Sequence, residues 1–166
     1  MLHRFLEAGQ QGIPQFEGEA RKRGAKLIEA EHMLLALASD SESDAGRLLK
    51  ASGLDHERLA SALRDEHRRS LAFAGFQGPD EPPTNAANVE GPLSLGTSAK
   101  VALVRALIAS RRHRARRARL KDVDLLRGIL LAELGTVPRA LAIAGVDRET
   151  LISRTKTESE VARQRC

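Results

Sequence analysis

The chain has 166 residues, a formal net charge of +5 and a hydrophobic fraction of 42%, which is typical of one soluble domain or two small halves sharing a core. It has no Trp, no Tyr and four Phe, so the core must come from aliphatic side chains, as in helix packing. The single cysteine, Cys166, excludes an internal disulfide framework. Because no apolar run resembles a signal peptide or spans a bilayer, we expect no membrane association and a cytoplasmic location.

Four helices are predicted in the first half. Their ranges are 5–24, 29–39, 45–52 and a fourth helix that begins after Asp55. Pro14 should kink or shorten the first helix, which also contains several glycines. Gly53 stands where a helix C-terminus favours glycine, and Asp55 is a good N-cap residue.

A linker is predicted after the first four helices, and the second half is then predicted to contain four more. Residues 75–92 contain three prolines close together and no periodicity, which predicts an extended segment. Thr97 or Ser98 should cap a helix through Ile108, and Asp122 or Asp124 should open the next, which Gly135 ends. The last two helices are a short one with Pro138 in its first turn, ending at Gly145, and one capped by Asp147. We expect no strands, and a polar tail that frays after Thr155.

Two stretches of the chain match each other without a gap, 92 residues apart. Residues 45–61 lie over residues 137–153, with identical residues at seven positions. The matched pairs are Arg47/Arg139, Leu49/Leu141, Gly53/Gly145, Asp55/Asp147, Glu57/Glu149, Leu59/Leu151 and Ser61/Ser153. These matches indicate that a helical unit is duplicated within the chain. The duplication predicts an all-α fold of about eight helices, in two four-helix repeats related by a pseudo-twofold axis.

The repeated unit resembles the Clp repeat domain, which is the N-terminal domain of the Clp-type Hsp100 unfoldases. The resemblance rests on the order and spacing of several short motifs in the first repeat. They are Arg4-Phe5, Glu19-Ala20-Arg21, Ile28, Glu31-His32 and Leu34-Leu35, where the family has R-F, E-A-R, I, T-E-H and L-L. The second repeat is more divergent: 95–100 stands for the family's F-T-P-R-A-K, and Asp122 to Asp124 lies near its lost T-E-H triplet.

The resemblance implies a domain plan and a function. The plan is repeat 1 at 1–74, a linker at 75–92, repeat 2 at 93–155 and a polar tail at 156–166, with both repeats forming one domain. No phosphate-binding loop is present, because 96–100 lacks the spacing and the second glycine of G-x-x-x-x-G-K-[ST]. We therefore expect a non-enzymatic, standalone form, similar to short actinobacterial ClpC-like proteins. Its implied partners are Clp unfoldase or protease components, adaptors, protein substrates and cyclic peptides.

Glu31 and His32 are the leading candidates for substrate binding. In some family members this Glu grips the guanidinium of phosphoarginine, and a carboxylate pairs well with that group. The alternative is that Glu31 serves only as an acid in the first turn of its helix, and that His32 is a packed or hydrogen-bonded residue. Asp122 and Asp124 are the corresponding candidates in repeat 2, in uncertain register.

An apolar patch is predicted where the two repeats begin. Leu2, Phe5 and Leu95 hold positions that bind cyclic peptide antibiotics in actinobacterial family members. Aliphatic side chains offer less stacking than the Phe that the family often has there. The alternative is that these residues pack the interface between the repeats.

Basic residues are concentrated between positions 111 and 121. This basic run comprises Arg111, Arg112, Arg114, Arg116, Arg117, Arg119 and Lys121. Such a run can neutralise several phosphates, so a nucleic-acid-binding regulator is the alternative function. No aromatic residue lies among these arginines and the lysine. We therefore favour a solvated helix end and do not expect nucleic acid as a partner. The histidines and Cys166 lack metal-ligand spacing, and we expect no metal and no cofactor.

Overall fold

The computed structural model describes residues 13–76, 91–111 and 120–164, and these form eight α-helices and two very short strands. In chain order they are α1 (Ile13–Lys22), β1 (Leu27–Ile28), α2 (Ala30–Ser39), α3 (Asp44–Ala51), α4 (His56–Phe73), β2 (Ser94–Leu95), α5 (Thr97–Arg111), α6 (Asp122–Leu130), α7 (Thr136–Ile143) and α8 (Arg148–Gln164). The predicted all-α class with eight helices is confirmed. Most of the predicted linker, residues 77–90, and the predicted start of the first helix, residues 5–12, lie outside the described ranges.

The duplicated stretch folds the same way in both repeats. Asp55 accepts a hydrogen bond from Arg58 N–H (2.8 Å), and Asp147 accepts one from Thr150 N–H (3.0 Å), so each begins the last helix of its repeat. Gly53 and Gly145 both have positive φ, +72° and +70°, which glycine adopts without a steric penalty. Each short helix therefore ends in the same turn and leads to the same cap.

The expectation that strands are absent is wrong in one detail. β1 and β2 are two residues each and pair in parallel, with Leu27 opposite Ser94 and Ile28 opposite Leu95. Gly96 N–H adds a further hydrogen bond to Ile28 O at 2.8 Å. The extended segments that precede α2 and α5 lie side by side, so their backbone groups satisfy each other across the two repeats.

The starts of α2 and α5 cap one another. Thr97 or Ser98 is predicted to cap α5, but the Ser98 hydroxyl accepts from Ala30 N–H (2.8 Å) at the start of α2. In return, Glu29 Oε2 accepts from Ser98 N–H (3.0 Å) and from the Ser98 hydroxyl (2.5 Å). Each repeat therefore supplies the polar group that satisfies the other repeat's helix N-terminus.

The hydrophobic core is one cluster shared by the two repeats. Its largest fully buried side chains include Leu34, Leu35 and Leu49 from the first repeat and Leu126, Ile129 and Leu141 from the second. The helix contacts cross between repeats in matched pairs: α4 packs on α7, and α8 packs on α3. This exchange is the packing expected of the predicted pseudo-twofold arrangement.

Two predicted boundaries in the second repeat differ from the structure. Gly135 does not end α6, which stops at Leu130; it has a φ of +114° and precedes α7 instead. The tail predicted to fray after Thr155 continues as α8 to Gln164. Thr155 and Ser159 are buried there, and the Thr155 hydroxyl donates a hydrogen bond to Ile152 O at 2.7 Å. The polar composition of this segment predicts fraying, because composition does not show that one face of the helix packs against the rest of the protein.

Candidate functional site

Two grooves meet at the start of α2. The first, which we call the charged groove, has a volume of about 650 Å³ and lies between the end of α1, the start of α2 and the middle of α4. The second, the inter-repeat groove, has a volume of about 570 Å³ and lies between α2, α5 and the segment that leads into α7. Glu29, Glu31 and Thr136 line both grooves. The leading sequence candidate, Glu31, therefore lies at their junction.

The Glu31 carboxylate has no side-chain partner in the described part of the chain. It is half-buried in the first turn of α2. Burial raises the pKa of Glu31, and the negative charges of Glu29 and Glu66 raise it further, against its own backbone N–H and the charge of Arg23. An acid that only complemented the helix dipole would have its charged form stabilised. This environment instead disfavours the charge, so a cationic group placed here would relieve it.

The other carboxylates of the charged groove are already engaged. Glu19 accepts from Lys22 Nζ (2.7 Å) and lies 3.1 Å from His56 Nε2. Glu66, although buried, accepts from Arg139 Nε and from the Ser70 hydroxyl, both at 2.7 Å. Together with Glu29, which Ser98 holds, these contacts leave Glu31 as the acid of this groove that remains available to a ligand among the described residues.

His32 is a structural residue in this arrangement. Its side chain is buried, and its Nδ1 accepts a hydrogen bond from Glu29 N–H at 2.9 Å. Burial lowers the pKa of His32 to about 4, and the nearby charge of Arg23 acts in the same direction. The ring is therefore neutral at pH 7 and holds the first turn of α2, the turn that carries Glu31.

Asp122 and Asp124 lie outside both grooves. Asp124 accepts from Lys121 N–H (3.1 Å), as His32 does from Glu29, so the 92-residue offset places Asp124 over His32 and Val123 over Glu31. Asp122 accepts from Ala45 N–H (2.9 Å) at the start of α3. The structure thus settles the register that the sequence left open, and repeat 2 has a buried valine where repeat 1 has Glu31.

One wall of the inter-repeat groove is apolar and faces outward. Val101, Val104 and Ile108 of α5 are 40%, 53% and 50% exposed, and Leu134 before α7 is 90% exposed. Val101 and Leu134 line the groove itself, together with Arg105. Large apolar side chains left open beside a groove are a common mark of a surface that binds another molecule.

The predicted apolar patch is only partly described. Leu2 and Phe5 lie outside the described residues. Leu95 is half-buried and packs against the core, which favours the packing alternative for this residue. A cyclic-peptide site at these three positions stays a prediction.

The basic run is also largely outside the described residues. This holds for Arg112, Arg114, Arg116, Arg117 and Arg119, and for the side chain of Arg111, whose backbone ends α5. Lys121 is half-buried at the N-terminus of α6. Nothing in the described geometry adds to the nucleic-acid alternative.

Sequence reasoning missed three arginines at the grooves. Arg23, in the turn after α1, and Arg64, on α4, line the charged groove, whereas Arg105 lines the inter-repeat groove. No hydrogen bond or ion pair neutralises any of the three within the described ranges. Arg23 and Arg64 are too far apart in the chain to form a pattern, so only the fold could reveal their proximity.

Neither a metal-binding cluster nor a membrane-spanning helix is found among the described residues. No group of three His, Cys, Asp or Glu among them could hold a metal ion. No helix in these ranges has the length and apolar character needed to cross a membrane.

Comparison with known proteins settles the family. The model of the Clp repeat (R) N-terminal domain matches residues 4–90, just over half of the chain. The chain belongs to the Clp N-terminal domain family. The chain matches no curated protein at a significant level.

The fold of this Clp N-terminal domain extends over both repeats. It is similar to the crystal structure of the N-terminal domain of the caseinolytic protease associated chaperone ClpD from Arabidopsis thaliana, with a TM-score of 0.66 and 16% identity. The similarity covers 93% of each chain. Family membership makes the chain a protein-binding module of the Clp system, and the resemblance seen in the first repeat is confirmed.

Proposed function

We propose that this Clp N-terminal domain is a non-enzymatic module that binds protein segments through Glu31 and the two grooves that meet there. The observation that carries the proposal is the unpartnered Glu31 carboxylate at the junction of the grooves. Its raised pKa indicates that the fold disfavours this charge. Bringing up a cation would therefore be more favourable here than at an ordinary surface acid.

The cation that fits best is a guanidinium group. A carboxylate accepts two parallel hydrogen bonds from a guanidinium, which a primary amine cannot donate in the same geometry. Together with the family resemblance, this supports arginine or phosphoarginine in a protein segment as the group bound at Glu31. We expect one such site per chain, because repeat 2 has Val123 at the equivalent position.

The apolar wall supplies the second element of recognition. Val101 and Leu134 lie in the same groove as Glu31, so a segment with an apolar side chain next to its arginine would contact both. Burying one aliphatic side chain there contributes roughly 1.5–3 kcal/mol at most. The same wall is open to an apolar cyclic peptide, and Leu2, Phe5 and Leu95 remain the predicted patch for such a ligand.

We expect the module to act in the cytoplasm. It would pass bound segments to a Clp unfoldase or sequester them from it. Both roles need the same binding site, and they differ in whether the bound domain also contacts an unfoldase, protease component or adaptor. Capture of partners by the full chain, with and without arginine phosphatase treatment of the extract, would separate arginine-phosphorylated substrates from the rest.

Titration calorimetry with free phosphoarginine tests the proposal. We expect binding at no more than one site per chain, and its loss in Glu31→Ala and Glu31→Gln. Glu42→Gln is the matched control, because Glu42 is exposed in the α2–α3 turn and lines neither groove. Two equal sites, or unchanged affinity in the Glu31 variants, would contradict the proposal.

A further inference from the structure

We propose that Arg23 and Arg64 form an oxyanion-binding subsite in the charged groove, suited to a phosphoryl group. Arg23 reaches the groove from the turn between α1 and β1, and Arg64 reaches it from α4. The two residues therefore face one open space from different elements. In the described part of the chain neither guanidinium forms a hydrogen bond or an ion pair.

The electrostatic environment of Arg23 would be relieved by an anion placed in the charged groove. Burial lowers the pKa of Arg23, and the positive charge of Arg64 lowers it further. Glu19 and Glu31 act on Arg23 in the opposite sense, but neither pairs with it in a salt bridge. Two guanidinium groups that repel each other at the wall of a groove are stabilised when an anion lies between them.

The arrangement fits a tetrahedral anion better than a carboxylate. A guanidinium fork pairs with two oxygens of one anion, and a carboxylate has only two oxygens and a single negative charge. A phosphoryl group presents three terminal oxygens and can accept from two forks at once. Two arginines that line one groove without an acid partner among the described residues therefore favour phosphate.

The subsite extends the proposed function and rests on it in one respect. Glu31 lines the same groove, so the groove holds an available carboxylate near two available guanidinium groups. Phosphoarginine carries a guanidinium bonded directly to a phosphoryl group, and its two parts have the opposite charges to these. Arg23 and Arg64 would take the phosphoryl oxygens, whereas Glu31 would take the remaining guanidinium N–H groups.

Inorganic phosphate tests the subsite separately from Glu31. Titration of the full chain with phosphate, followed by NMR or calorimetry, should show one weak site. We expect Arg23→Gln and Arg64→Gln each to weaken phosphate binding about tenfold, since each removes a charge-assisted pair. Arg68→Gln is the matched control: Arg68 is on the same helix as Arg64 but pairs with Asp65 and does not line the groove.

Two further variants locate the site. Arg105→Gln should change phosphate affinity less than twofold, and a loss there instead of at Arg23 and Arg64 would place the anion in the inter-repeat groove and overturn the proposal. Equal affinity in wild type, Arg23→Gln and Arg64→Gln would also overturn it. Thermal midpoints within about 2 °C of wild type would show that these exposed or half-exposed substitutions leave the fold intact.

Glu31→Gln distinguishes the two proposals, because its effect should have opposite signs. Removing a negative charge from the groove should strengthen binding of inorganic phosphate and weaken binding of phosphoarginine. If phosphate binding depends on both arginines but phosphoarginine does not bind, the proposed function fails and the subsite stands. If phosphoarginine binds through Glu31 and is unaffected by Arg23→Gln and Arg64→Gln, the subsite fails and the proposed function stands.

Discussion

His32 and Asp124 hold equivalent positions in the two repeats, and each accepts a backbone hydrogen bond at the start of its helix. Each is the third residue of its helix and accepts a hydrogen bond from the backbone N–H three residues earlier. This contact satisfies one of the backbone groups that a helix start leaves open. Histidine can do so only while its Nδ1 is unprotonated, whereas an aspartate accepts in its charged form.

Protonation of His32 should destabilise the fold. Burial lowers the pKa of His32 to about 4 from 6.5, so between these values the unfolded chain binds the proton more readily than the native one. The stabilising contribution is therefore complete above pH 6.5 and decreases as the pH falls towards 4, by roughly 3 kcal/mol in all. Urea unfolding of the wild type across this range measures the decrease.

His32→Asn is the variant to compare, because an amide oxygen can accept the same hydrogen bond without titrating. We expect the difference in unfolding free energy between wild type and His32→Asn to shift with pH in favour of the variant as the solution becomes more acidic. Glu31, whose pKa is raised, titrates in both proteins, so its contribution cancels in the difference. Parallel pH profiles would show that His32 does not carry this dependence.

At the scale of the element, α5 has its small residues inside and its large ones outside. Ala99, Ala102, Ala106 and Ala109 are buried, whereas Val101, Val104 and Ile108 are exposed. The alanines let α5 approach α6 closely at Gly128. A β-carbon at Gly128 would lie 2.3 Å from Ala102 O and 2.7 Å from Ala106 Cβ. With the alanines turned towards α6, the larger side chains of α5 face outward, and Val101 among them lines the inter-repeat groove.

Gly128→Ala should therefore destabilise the protein although alanine favours helices. We expect a loss of about 1–3 kcal/mol, because α5 must move away from α6 to admit the methyl group. Gly18→Ala is the matched control in α1, since nothing lies within 4 Å of a β-carbon there, and it should stabilise the protein by up to about 1 kcal/mol. Urea unfolding of both variants checks the pair; a stabilised Gly128→Ala would contradict the close packing.

At the scale of the whole molecule, the repeats hold each other together by exchanged contacts. Arg58 of α4 donates to Ala144 O (2.9 Å) at the end of α7, and Arg154 of α8 donates to the Ser52 hydroxyl (2.8 Å) at the end of α3. Cations at helix C-termini are favourable. The repeats also share one core and cap each other's helices at Glu29 and Ser98. Neither repeat therefore has a complete core, or complete helix caps, without the other.

We therefore expect neither repeat to fold alone. Residues 1–76 and residues 91–166, prepared separately, should show no cooperative thermal transition by circular dichroism. An equimolar mixture should recover helicity and a cooperative transition, because the core forms only when both halves are present. A cooperative transition in either half alone, near the midpoint of the full chain, would show that the core is not shared in the way that the contacts indicate.

Local interactions explain why so much of the fold could be predicted from the sequence. The eight helices, the caps at Asp55 and Asp147 and the turns at Gly53 and Gly145 each depend on residues within a few positions of one another. The duplication also made each repeat a guide to the other. Glu31 was found as a candidate through its place in the family motif, not through any chemistry that the sequence itself displays.

The tertiary structure alone decided which residues surround Glu31. The sequence by itself determined the number of helices, the turns at Gly53 and Gly145 and the repeat, because these follow from short-range propensity and pattern. It could not show which face of α5 is buried, since apolar residues lie on every side of that helix. Nor could it show that Ser98 caps α2 or that Arg23 faces Arg64, because those contacts join distant parts of the chain and exist only after the two repeats have packed.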